Sequence, residues 1–223
     1  MHALTWTLLG AGTLAYALGV RRLWRRAGPG RGIAFHHAGF FCLALAVLAV
    51  ALISPLHHLA EERLWAHMVQ HELLMVVAAP LLAAARPLVA LRLPLPRSFS
   101  QPVTAWALHA AAIWLWHVPG VFEAAAHNEA LHFAQHASFL ATALMFWWTV
   151  FTRSGSSVIS LFTTMLHTGA LGALMALSGR PWYAGYSLED QQLAGLVMWV
   201  PAGAAYPAAA LVLLNRTLRR CAT

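Results

Sequence analysis

The chain has 223 residues, 60% of them hydrophobic and only 9% charged. Soluble domains carry about 25% charged residues and disordered chains combine low hydrophobicity with high charge, so both classes are excluded and a polytopic membrane protein remains. Two cysteines, Cys42 and Cys221, exclude a disulfide scaffold and a Cys-rich zinc module. The net charge of +7 sits in short arginine groups between apolar runs, which speaks against a nucleic-acid partner.

In chain order, seven stretches approach the roughly 20 apolar residues that a spanning helix needs: 3–20, 35–54, 64–83, 102–118, 131–151, 157–178 and 191–214. The first is followed rather than preceded by basic residues (Arg21, Arg22, Arg25, Arg26), so it is expected to stay as a helix and not to be cleaved. Pro94, Pro96 and Pro102 mark an irregular stretch before the fourth, and Pro119 ends that fourth, short span. The expectation is one all-α domain over 1–223, a bundle of seven transmembrane helices.

All 14 basic residues are arginines. Twelve fall in one set of connections: Arg21 to Arg31, then Arg86, Arg92 and Arg97, then Arg153, then Arg216, Arg219 and Arg220. Only Arg63 and Arg180 fall in the other, with Glu61, Glu62, Glu123, Glu129, Glu189 and Asp190. Because short basic loops stay cytoplasmic, the N-terminus is expected outside and the C-terminus inside. Glu72 alone among the acids lies within a span.

Thirteen histidines are many for so apolar a chain. His57, His58, His67, His71, His117, His127, His132 and His136 gather near the outer face, while His109 and His167 lie deeper in the fourth and sixth spans. His67 and His71, and again His132 and His136, are four residues apart, so each pair shares a helix face. Both helices run inward from the same surface, and four imidazoles could meet between them. Met75 continues the stripe of His67, and in the last span Gln191 and Met198 share a face, with Asp190 just before. Imidazole suits zinc, copper, iron and nickel, and thioether favours Cu(I). Histidine with methionine and no inward cysteine leans to copper, and intramembrane ionisable groups are usually functional. Glu72 and Asp190 are candidates to accept hydrogen bonds from ligating imidazoles. Trp114, Trp116, Trp147, Trp148, Trp182 and Trp199 read as an interfacial belt. Gly169, Gly172 and Gly203 read as points of close helix packing.

Four segments carry a resemblance: Ser54-Pro55-Leu56 running into Leu64-Trp65-Ala66-His67-Met68-Val69-Gln70-His71, then Leu115-Trp116-His117-Val118-Pro119, then Leu131-His132-Phe133-Ala134-Gln135-His136, and Asp190-Gln191-Gln192-Leu193-Ala194-Gly195-Leu196-Val197-Met198-Trp199-Val200-Pro201. Together, over roughly 35 to 214, they resemble the multi-pass CtaG-type cytochrome c oxidase assembly family linked to caa-type oxidases. The resemblance implies a bacterial inner-membrane protein needed for active haem-copper oxidase, at the copper stage, and its motif positions here are His67, His71, His117, His132, His136, Asp190 and Met198. The chain departs at Glu72, where an apolar residue is expected, and at Gln135, where an acid is expected.

The resulting expectation is a non-enzymatic assembly factor. It holds copper through His67, His71, His132 and His136, with His117, Met75 and Met198 as alternates. Its partners are membrane lipid, an oxidase subunit as client and an extracytoplasmic copper donor. Three rivals stay open: a b-type haem protein using His109 and His167, a zinc-dependent membrane enzyme with Glu72 or Asp190 as base, and a scaffold without metal.

Overall fold

The computed structural model describes residues 2–94, 101–153 and 157–221. Pro96 and Arg97, and the side chains of His2, Ala3, Arg216, Thr217, Arg220 and Cys221, lie outside the described residues. Described are α1 (His2–Ala27), α2 (Phe35–Leu52), α3 (Pro55–Glu62), α4 (Leu64–Glu72), a π-helical segment (Leu73–Ala78), α5 (Ala79–Ala85), α6 (Pro87–Leu91), α7 (Pro102–His117), α8 (Pro119–Ala126), α9 (Glu129–Thr152), α10 (Ser157–Ala176) and α11 (Leu188–Cys221). Among the described residues there is no strand.

Each of the seven apolar stretches falls on a helix, with α4, the π segment and α5 forming one. By length and composition, four are able to cross a membrane: Phe35–Leu52, Leu64–Ala85, Ser157–Ala176 and Leu188–Asn215. Of the others, α7 has only 16 residues, and the first two turns of α9 carry Glu129, His132, Gln135 and His136.

Two short helices interrupt the long ones where the sequence places proline. Pro55 occupies the first turn of α3, and Ser54 caps it by accepting from the Leu56 amide at 3.1 Å. Pro119 opens α8 after an extended Val118. Both positions suit proline, whose missing N–H has no partner in a first turn anyway. Asn128 then caps α9, its side chain accepting from the amides of Ala130 and Leu131 at 3.0 Å each.

The π segment has a local cause. Pro80 has no N–H to donate and crowds the carbonyl of the preceding turn. The Ala79 amide bonds to Leu74, five residues back, which is π spacing. The Met75 carbonyl, whose partner at that spacing would be Pro80, is bonded instead by the Trp147 indole of α9 at 2.9 Å. Trp147 is therefore a core residue, 3% exposed, and does not join the interfacial belt expected of it. One polar bond fastens the two helices that carry the histidine pairs.

At the arginine-rich end, α5 and α6 finish on left-handed Arg86 and Arg92, at φ 55° and 56°. The Tyr16 hydroxyl of α1 donates to the Ala85 carbonyl at 2.9 Å. The final hairpin, α10 with α11, closes on two glycines. A Cβ on Gly195 would stand 2.5 Å from the Ala176 nitrogen and from the Gly172 oxygen, and one on Gly172 would stand 2.7 Å from the Gly195 oxygen. Gly203, expected to serve the same purpose, has open space beside it; the close approach uses Gly195 instead.

Because the atoms facing Gly195 are backbone, they cannot swing aside. The Gly195→Ala variant is expected to lose about 1–3 kcal/mol through overpacking, read as a lowered midpoint of thermal unfolding in detergent. Gly203→Ala, with open space at its Cβ, is expected to leave that midpoint within about 0.5 kcal/mol of wild type.

Candidate metal centre

α4 turns His67 and His71 to one side and α9 turns His132 and His136 to meet them. The π segment and Trp147 set the two helices face to face just below. Ring centroids are 4.4 Å apart for His67–His71 and for His132–His136. Across the helices they are 5.3 Å for His67–His132, 5.7 Å for His67–His136 and 5.4 Å for His71–His136. One nitrogen each from His67, His71 and His136 lies within 4.8 Å of the other two, and all three residues are buried. His132 is half-buried at the rim.

Two more histidines extend the group. His117, on the last turn of α7, lies 5.7 Å from His71. His57, from α3, stacks on His132 at 6.0 Å. Its Nδ1 faces the Gln70 amide nitrogen at 3.2 Å, and that amide also donates to the Ala51 carbonyl at 2.6 Å. Phe122 and Phe139 wall the cluster, 5.2 Å from His67 and 4.6 Å from His71. A cavity of about 150 Å³ between α1, α2, α3, the π segment and α9 reaches His57 and His136 from the side and is otherwise almost wholly apolar.

The loop before α11 closes the top. The Tyr183 hydroxyl donates to the His117 carbonyl at 2.9 Å, its ring packs on Phe122 at 4.4 Å, and burial pushes its phenol up, so it remains a donor. The Ala184 amide donates to Glu123 at 2.9 Å. Gln191 holds the loop by accepting from the Trp182 amide and donating to the Met175 and Arg180 carbonyls at 3.3 and 3.4 Å.

Several expected site residues stand elsewhere. Asp190 receives the Leu64 and Trp65 amides on its two carboxylate oxygens, at 3.0 and 3.2 Å. It supplies a cap that α4 lacks of its own, since Arg63 makes no side-chain cap bond. Both of its carboxylate oxygens are thus engaged by amides of the helix that carries His67. Glu72 is buried on the side of α4 that meets Tyr206 of α11. Met75 and Met198 pack in the apolar core. The methionine that meets a histidine is Met68, whose sulfur lies 3.4 Å from His117 Nε2. His109 faces the Thr142 hydroxyl at 3.2 Å and stacks on Phe146, while His167 meets Trp106 edge-on. His127 and His36 are exposed.

What distinguishes the cluster chemically is that unpaired imidazole nitrogens converge in it. His67 Nε2, His132 Nε2, His136 Nε2 and both nitrogens of His71 are buried without a hydrogen-bond partner, while His67 also lies against the Ala60 carbonyl. Each buried polar atom left alone costs about 1–3 kcal/mol. Convergent imidazoles with free lone pairs fit a borderline or soft cation, inside a hydrophobic shell that limits water.

Apolar helices wrapped around buried donor groups define a helical membrane protein with a histidine-lined interior. The chain belongs to the family of cytochrome c oxidase caa3 assembly factors, matched over residues 14–220. No curated protein and no solved structure matches it significantly.

Sequence reasoning missed Met68, His57, Trp147 and Tyr183. Pro80 was the readable signal for Trp147, because a proline in a helix leaves a carbonyl upstream in need of a donor.

Asp190→Ala is expected to cost about 0.5–2 kcal/mol as a lost cap, with Asp190→Asn recovering part of it, both read by thermal unfolding in detergent. Trp147→Phe strands the Met75 carbonyl and is expected to cost about 1–3 kcal/mol. A loss under roughly 0.3 kcal/mol would show that the indole bond does not hold α9 to the π segment.

Proposed function

We propose that this chain is an oxidase assembly factor that holds copper through His67, His71 and His136, with His132 and His117 flanking them, and helps its insertion into cytochrome c oxidase. The observation that carries the reading is the convergence of one nitrogen each from buried His67, His71 and His136, within 4.8 Å of one another. Family membership supplies the client, an oxidase under construction. Copper is preferred to zinc because Met68 brings a thioether to the cluster.

In this reading the bundle crosses a bacterial inner membrane seven times, with the N-terminus outside and the C-terminus in the cytoplasm. The arginine distribution supports that orientation, and it puts the cluster near the extracytoplasmic face. A copper donor on that side loads the protein through the His57 and His132 rim, and an oxidase subunit takes the ion away. The protein holds and hands over its cargo without catalysis.

The test is metal analysis with an optical spectrum on detergent-purified protein from copper-supplemented cells. About one copper per chain is expected, with no Soret band. A His71→Ala, His136→Ala double variant is expected to insert normally and lose the copper. Unchanged copper in that variant sinks the proposed ligand set. A Soret band with iron replaces it by haem binding at another pair, and zinc in place of copper by the enzyme reading.

A further inference from the structure

His117 and Met68 meet in a way that hydrogen bonding leaves unresolved. His117 Nδ1 lies 2.6 Å from the Ile113 carbonyl. A carbonyl only accepts, so Nδ1 carries the ring proton. In the neutral imidazole this leaves Nε2 as a bare lone pair. That lone pair faces the Met68 sulfur at 3.4 Å, and a thioether is itself only a weak acceptor. Two electron-rich atoms thus face one another in the interior, His117 2% exposed and Met68 0%. A cation between them gives both a partner.

We propose that Met68 and His117 form a second, soft position for Cu(I), adjoining the three-histidine position and sharing His71 with it. The proposal rests on the copper reading above and adds to it the ligand that chooses the oxidation state. Atoms bound to one tetrahedral ion at roughly 2.0 Å (nitrogen) and 2.3 Å (sulfur) are about 3.5 Å apart, close to the separation seen here. Imidazole with thioether favours Cu(I) over divalent ions such as zinc. His71 is the third candidate: its ring is 5.7 Å from that of His117 and 4.4 Å from that of His67, and neither of its nitrogens has a partner. It stands between the two positions, so an ion moves from one to the other without leaving the protein.

The position is built. The His117 ring is fixed by its bond to Ile113, and its backbone carbonyl by the Tyr183 hydroxyl. Phe139 packs against both His117 and His71, at 6.1 and 4.6 Å. Met68 comes from the turn between His67 and His71, which Asp190 anchors at its N-terminal end.

The test is a titration of the purified full chain with Cu(I) under reducing conditions, in competition with a Cu(I) chelator, joined to X-ray absorption on the loaded protein. Wild type is expected to bind one equivalent of Cu(I) and to show a sulfur neighbour at about 2.3 Å. Met68→Leu, similar in volume, is expected to weaken that equivalent by about tenfold or more, at least the effect of losing an outer-shell partner, and to lose the sulfur neighbour. Its zinc binding is expected to be unchanged. A nitrogen-only spectrum for wild type overturns the proposal, and reduces the His117–Met68 contact to an ordinary hydrogen bond. A sulfur neighbour that survives in Met68→Leu also overturns it, by assigning the sulfur to Met75 or Met198. In both cases the three-histidine position stands if the His71→Ala, His136→Ala variant loses its copper. Absence of copper from wild type removes both readings.

Discussion

A backbone carbonyl buried in an apolar interior has no water to turn to, and leaving it bare costs several kcal/mol. Pro80 creates one such carbonyl, at Met75, and the indole of Trp147 fills it. Much of the site's geometry follows from that bond. It fixes the π segment below His71, sets α9 at one height against α4, and thereby brings His136 level with His67 and His71. A helix without the proline would satisfy its own carbonyls and could slide along its neighbour. The proline costs the helix a hydrogen bond and fixes a register in return.

The same economy governs several other polar side chains of the interior. Gln70, Gln191, Asp190, Tyr183 and Trp147 all spend their side chains on backbone groups of other elements. They tie helices and loops together where no water is at hand. The imidazoles of His67, His71, His132 and His136 do not; each keeps at least one nitrogen unpaired among aromatic walls. Other buried polar atoms also lack partners, among them His109 Nε2, both nitrogens of His167 and the side-chain amide of Gln135. Convergence, more than the number of histidines or the lack of partners, separates His67, His71 and His136, whose nitrogens lie within 4.8 Å of one another, from His109, which meets Thr142, and from the exposed His127.

The sequence was legible where the physics is local. Helix length, the shared face of residues four apart, and the turns at Pro55, Pro119 and Asn128 can all be read from neighbouring residues. What could not be read depends on which helix stands beside which. Asp190 looked like an acceptor for an imidazole because it precedes a motif; its true partners are amides up to 126 residues away. Met75 fitted the histidine stripe on an ideal helix, but the π segment intervenes and the core claims it. Met68, about 100° round from His67, meets a histidine only because His117 of α7 stands beside it. Trp147 was assigned by composition to the membrane surface, though a proline on another helix had made a place for its indole.

The Asp190 bond has a consequence for how the protein is made. The first turn of α4 emerges from the ribosome long before α11, and it lacks a cap of its own until the last helix arrives. Contacts so distant in sequence form late, after the intervening loops have closed. Until then the Leu64 and Trp65 amides lack the Asp190 carboxylate, and the loop carrying Tyr183 has not yet closed over His117. The cap on the turn that leads to His67 is thus completed only when α11 is in place.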